Sequence, residues 1–161
     1  MKNPCFYRSE IVFDAGHLFD GLDVGPVELT IWRSQKDPNC SGFYWTAPAS
    51  GFYWVSDGRR RIAVAVQKRI FRFFRNGVHS RLSYLTDHYM AGLVPAPKVA
   101  INFGANIGEM GIALSDMGAT VIAVEPDPCV LPTLEANAAG RNIRIEGVAA
   151  WKSDGRVPFY L

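Results

Sequence analysis

The chain has 161 residues, 48% of them hydrophobic and 20% charged, and a formal net charge of +2. That length suits one domain with a real core, and the composition is ordinary for a globular protein. The charge is too small to argue for nucleic acid, no apolar run approaches a membrane span, and the N-terminus lacks the apolar core of a signal peptide, so the compartment reads as cytosol.

Residues 1–66 read as a β-rich N-terminal region. Phe6 to Phe13 and Val27 to Trp32 carry strand-forming residues, and the Gly/Asp-rich segment Asp14 to Pro26 between them reads as loop. Gly-Phe-Tyr-Trp occurs twice, at Gly42 to Trp45 and Gly51 to Trp54, with turn material between the copies, which predicts a hairpin. Alternation puts Phe43 and Trp45 on one face and Tyr44 on the other. These aromatics fit cross-strand core packing or, as the alternative, a platform for stacking on a sugar ring. Asn39-Cys40-Ser41 matches a glycosylation sequon, read as chance without a secretion signal. Cys5, Cys40 and Cys129 are widely spaced and odd in number, and form no C-x-x-C, so neither a disulfide frame nor a zinc site is suggested.

Residues 67–97 read as a helical lead-in. From Gly58 to Thr86 there is no acidic residue, whereas Arg59, Arg60, Arg61, Lys68, Arg69, Arg72, Arg75 and Arg81 are basic. Ile62 to Val66 is strand-like. Gln67 to Arg75 predicts a short helix closed by Asn76-Gly77, with Ile70, Phe71 and Phe74 inward; a second helix, Ser80 to Met90, would bury Leu82, Leu85 and Tyr89. The basic residues read as a solvated face or as a rim attracting an anionic substrate. His17, His79 and His88 have no metal-ligand spacing, and His79 or His88 would serve as a base only if the fold brought it to the reacting group.

Residues 98–161 carry the chemistry. Val99 to Phe103 is an apolar run that ends in Gly104-Ala105-Asn106-Ile107-Gly108, after which a helical pattern begins at once. That is the syntax of a buried parallel strand, a tight turn and a helix whose N-terminus faces a ligand. Gly104 suits the turn, Gly108 suits close packing of the helix on the strand, and Gly118 provides a stop. Thr120 to Val124 reads as the next buried strand, ending in Glu125-Pro126-Asp127-Pro128. An acid at that place, about 20 residues past a glycine turn, can accept both hydroxyls of a ribose. A dinucleotide fingerprint would need glycine where Asn106 and Glu109 stand, and a carboxylate at Glu109 would repel a diphosphate. S-adenosylmethionine, with ribose, adenine and an ammonium group but no phosphate, fits better than NAD.

Val99 to Gly111 and Val121 to Asp127 resemble the FkbM-type methyltransferases, a branch of the class I S-adenosylmethionine-dependent enzymes. The family's motifs read approximately V-I-D-x-G-A-N-x-G and x-E-P-D-P. Leu134, Asn137, Gly147-Val148-Ala149-Ala150 and Asp154-Gly155 also match, so the resemblance covers roughly Arg81 to Leu161. It implies a Rossmann-like α/β parallel sheet, with Gly104, Ala105, Asn106 and Gly108 lining the cofactor's methionine end. Glu125 would hold the ribose, with Pro126 and Asp127 beside it. Asn102 stands where the family usually has Asp, a departure that weakens any contact needing a negative charge there.

Asp127 and Pro128 read as a helix N-cap and first residue; alternatively, because of Pro132, the helix begins nearer Leu131. Ile143 to Val148 reads as a third strand, and Val157 to Leu161 as another. The further strands of a class I methyltransferase do not follow, which leaves an apolar sheet edge. A strand from residues 1–66, self-association with a second copy, or truncation of the chain would each account for it, and truncation is the expectation. The function expected is O-methylation of a small-molecule or glycan acceptor, by resemblance; the alternative is a non-catalytic nucleoside-binding remnant.

Overall fold

The computed structural model describes residues 6–7, 29–33, 41–47, 51–65, 67–70, 72–73, 77–90, 95 and 97–156. It divides into two compact units, Met1–Tyr84 and Leu85–Leu161. The expected strands over 8–13 and 157–161, the loop over Asp14 to Pro26, and Cys5, Cys40 and His17 lie outside the described residues.

The first unit is built on an antiparallel sheet of β1 (Phe6–Tyr7), β2 (Leu29–Arg33), β3 (Ser41–Ala47), β4 (Phe52–Ser56) and β5 (Arg61–Val64), in that order. The repeated Gly-Phe-Tyr-Trp forms the expected hairpin: Trp45 faces Trp54 across the β3–β4 register, and Phe43 faces Ser56. On β4, Trp54 is already engaged, with Arg61 5.3 Å from its ring centroid and the Phe52 ring edge-on at 5.7 Å. Val55, Ile62, Ala63 and Val64 are fully buried, which places one core on β4 and β5.

α1 spans only Gln67–Ile70, shorter than the helix expected to Arg75. The amides of Arg72 and Phe73 donate three residues back, to Arg69 and Ile70. That tighter turn places i and i+3 on one side, so Phe73 joins Ile70 in the core, a position the 3.6-residue period did not single out. Phe71 and Phe74 lie outside the described residues. α2 runs Gly77–Met90, beginning three residues before the expected Ser80. Leu82 and Leu85 are buried as expected, but Tyr89 is 64% exposed. Periodicity sets which face a residue occupies; it does not supply a surface to cover that face.

In the second unit β6 (Val99–Phe103), β7 (Thr120–Val124) and β8 (Ile143–Glu146) form a parallel sheet in the order β6-β7-β8. α3 (Glu109–Asp116) and α4 (Leu131–Ala138) connect them, an α/β arrangement compatible with part of a Rossmann-like fold. Both helices pack on one face. Gly111 of α3 lies over Val121, Ile143 and Asn102, and Leu134 of α4 clusters with Ala105 and Ala123, flanked by Ile143 and Ile145. α3 ends as the glycine predicts: Gly118 has φ +93°, its amide reaches Ser115 O, and that of Ala119 reaches Leu114 O. α4 begins at Leu131 with Pro132 in its first turn, where a missing N–H costs nothing.

The expectation that β6 is buried does not hold. On the face opposite the helices Val99, Ile101 and Phe103 are 60%, 56% and 63% exposed, and among the described residues β6 pairs only with β7. Among the described residues, the strands before α1 pair with one another in a sheet of their own. An apolar run records which residues avoid water; burial needs a layer on each side. No helix among the described residues is long and apolar enough to cross a membrane.

Candidate functional site

The second unit's three strands end in three loops, and the candidate site is made from them. After β6 the chain turns through three left-handed residues, Gly104 (φ 67°), Asn106 (φ 50°) and Gly108 (φ 89°). Glycine takes that conformation freely and asparagine tolerates it. The two glycines serve different ends. A Cβ on Gly104 would meet nothing within 4 Å, so the turn is open there, whereas a Cβ on Gly108 would lie 2.7 Å from Leu134 Cδ1. Gly108 therefore admits α4, not the strand that sequence reasoning assigned to it. Asn137 of α4 completes the contact by donating through Nδ2 to Ile107 O at 2.7 Å.

Each main-chain amide from Gly104 to Gly108 is committed within the protein. Those of Gly104 and Ala105 donate to Val124 O at 2.9 and 3.0 Å, and that of Gly108 donates to Ala105 O at 2.9 Å. The Asn106 amide donates to Glu125 Oε2 at 2.7 Å and the Ile107 amide to Asn106 Oδ1 at 2.9 Å. A phosphate cradle needs several amides aimed outward at the anion. This turn has none of those amides to spare.

Glu125, directly after β7, is 7% exposed. Besides the Asn106 amide on Oε2, its Oε1 accepts the Asp127 amide at 3.0 Å. The carboxylate thus faces the glycine turn. A carboxylate offers about four acceptor sites; these amides use one on each oxygen. Asp127 shapes the loop: its Oδ1 accepts the Cys129 amide at 2.8 Å, and its main-chain oxygen accepts those of Val130 and Leu131.

The remaining expected residues divide. Ala105 is buried, its methyl packed with Ala123 and Leu134, so its side chain belongs to the core and does not line a ligand. Asn102 Nδ2 is buried with no hydrogen-bond partner among the described residues, 4.0 Å from where a Cβ on Gly111 would sit. That atom is turned into the layer between sheet and α3, not out to solvent. Glu109, the first residue of α3, is buried at the helix N-terminus, where negative charge is favoured. His79 gives its main-chain amide to Asp57, and His88 lies edge-on to Tyr89 at 5.0 Å. Among the described residues no group of three His, Cys, Asp or Glu could hold a metal.

Past β8 lies a feature without an assigned role in the sequence reading. Pro126, Val148, Trp151, Ser153, Asp154 and Arg156 line an open cleft of about 560 Å³. Its signal was already present in the Gly147-Val148-Ala149-Ala150 and Asp154-Gly155 motifs; what was missing was the side on which they meet Pro126.

The sequence matches no family model and no curated protein. The resemblance to the FkbM-type enzymes therefore rests on the residues that carry it.

Proposed function

We propose that the chain binds S-adenosylmethionine and acts as a methyltransferase, with a hydroxyl-bearing small molecule or glycan as acceptor. One observation carries the reading: the buried Glu125 carboxylate faces a glycine turn whose amides are all spent. Acceptor capacity beside a turn whose own amides, from Gly104 to Gly108, are all engaged suits a ribose that bears no phosphate. Glu125 accepts the ribose hydroxyls, Gly104 leaves room for the ligand to approach, and Glu109 places negative charge near the end that carries the ammonium. Pro126 leads into the cleft beyond β8.

When bound, S-adenosylmethionine would supply a sulfonium methyl group to an acceptor oxygen, the C–S electron pair staying on sulfur and the hydroxyl proton passing to solvent. The protein's share is positioning: a ribose fixed at Glu125 orients the rest of the ligand relative to the turn. Calorimetric titration with S-adenosylmethionine and S-adenosylhomocysteine, with NADH as the phosphate-bearing control, tests the reading. Binding of the first two without NADH is expected; absence of binding in a folded sample defeats it. A second reading, a nucleoside-binding module without turnover, draws on the exposed Val99, Ile101 and Phe103 face. A methyl-transfer assay on the binding-competent protein separates the two.

A further inference from the structure

The free side of β6 can be read from the bonds on its other side. The Thr120 amide donates to Lys98 O at 2.9 Å, and the Gly104 amide donates to Val124 O at 2.9 Å. In a strand the N–H and C=O of one residue point to the same side, and successive residues alternate. Lys98, Ala100, Asn102 and Gly104 therefore turn their main-chain groups to β7, whereas Val99, Ile101 and Phe103 turn theirs outward. Those same three residues carry the exposed apolar side chains of the strand.

Edge strands are ordinarily guarded by a charge, a proline or a bulge. At the opposite edge β8 holds Arg144 and Glu146, ion-paired at 2.7 Å with side chains 71% and 40% exposed. β6 has neither charge nor proline from Val99 to Phe103, and among the described residues no strand pairs with its outer side.

Register decides what fits such an edge. Antiparallel alignment with β6 of a second copy, centred on Ile101, sets Ile101 against its own counterpart and Val99 against Phe103 in both directions. Each outward-facing residue then exchanges both main-chain bonds with its opposite number, and the apolar side chains fall on one face as cross-strand pairs. A shift by two residues strands one of the three in each copy, and a shift by one sets outward groups against groups already bonded to β7. Charge agrees with this direction. The exposed Lys98 precedes the strand, and the Glu125 carboxylate anchors the turn that follows it. The alignment brings Lys98 of one copy level with Gly104 of the other, where the turn is open, whereas a parallel one would set like against like.

We propose that β6 is a dimerisation strand: two copies of this chain join edge to edge about a two-fold axis at Ile101, so that one sheet runs through both. Self-complementarity selects a second copy over a foreign strand, since one short segment supplies both the bonding pattern and the opposite charges at its ends. The proposal does not depend on which ligand Glu125 holds.

Analytical ultracentrifugation of the full chain is expected to show a monomer–dimer equilibrium. Amide exchange at Val99, Ile101 and Phe103 is expected to slow at least about tenfold from dilute to concentrated protein. Ile101→Lys sets two like charges against each other at the axis and is expected to abolish the dimer while circular dichroism stays unchanged; Ile101→Glu is expected to do the same. An equimolar mixture of the two variants is expected to recover the dimer, a rescue that damaged folding could not produce. Wild-type protein that stays monomeric with fast exchange overturns the proposal. Protection that is equal at every concentration also overturns it, by assigning the edge to another segment of this chain. A dimer that survives Ile101→Lys places the interface elsewhere, and a mixture that stays monomeric removes Ile101 from the axis; either result defeats the proposal.

Discussion

Asp57 in the first unit and Glu125 in the second each follow a strand directly and each accept main-chain amides, yet they are used differently. Asp57 takes the amides of Arg59 and Arg60 on Oδ1, at 3.0 and 2.9 Å, and that of His79 on Oδ2 at 2.7 Å. It closes the β4–β5 loop and satisfies an amide in the first turn of α2, the demand a helix N-terminus always makes. Glu125 takes a single amide on each oxygen, and a carboxylate has about four acceptor sites. The lesson concerns how much acceptor capacity the fold itself uses. Asp57 spends three of about four acceptor sites on local amides and so acts as a piece of fold, whereas the more deeply buried Glu125 spends two, and the proposed ligand role draws on the remainder.

Stress on the Glu125 turn itself should give the largest effect. Gly108→Ala combines a left-handed φ with a Cβ 2.7 Å from Leu134 Cδ1, and should cost about 2–4 kcal/mol in urea unfolding. Binding of S-adenosylhomocysteine should fall with it; full stability in this variant would mean that α4 does not hold the turn. Glu125→Ala comes next. It strands the amides of Asn106 and Asp127, a loss of about 1–3 kcal/mol, and should weaken binding more than tenfold. Asp57→Ala should cost about 1–2 kcal/mol and leave binding unchanged. If both carboxylate variants lose binding equally, the contrast between them fails. Pro132→Ala marks the lower end: in the first turn of α4 the ring removes no needed donor, so thermal unfolding should report a change within about 0.5 kcal/mol.

The second unit was the more legible of the two because its signals are local. Strand, glycine turn, helix, glycine stop and second strand run uninterrupted from Val99 to Val124, and backbone conformation at Gly104 and Gly118 demands the residue type found there. Glu125 followed from spacing alone, since a parallel strand of known length ends where it must. Leu134 and Asn137 were noticed only as matching residues. Their work, filling the space beside Gly108 and bonding Ile107 O, crosses between two helices, which no local pattern encodes. The first unit's hairpin was legible from its repeated aromatics, but its buried Phe73 was not singled out, and Tyr89, expected to be buried, is exposed, because a period gives direction and not neighbours.

By itself, then, the sequence determined the order of elements, the hairpin, the left-handed turn and the acid that answers it, all consequences of backbone sterics and side-chain spacing over short distances. Tertiary structure alone decided that Ala105 belongs to the core, that Asn102 turns beneath α3, that β6 leaves one face uncovered, and that Trp151 meets Pro126 across a cleft. Those outcomes depend on which surfaces come together when strands pair and helices pack, and such meetings join residues far apart in the chain.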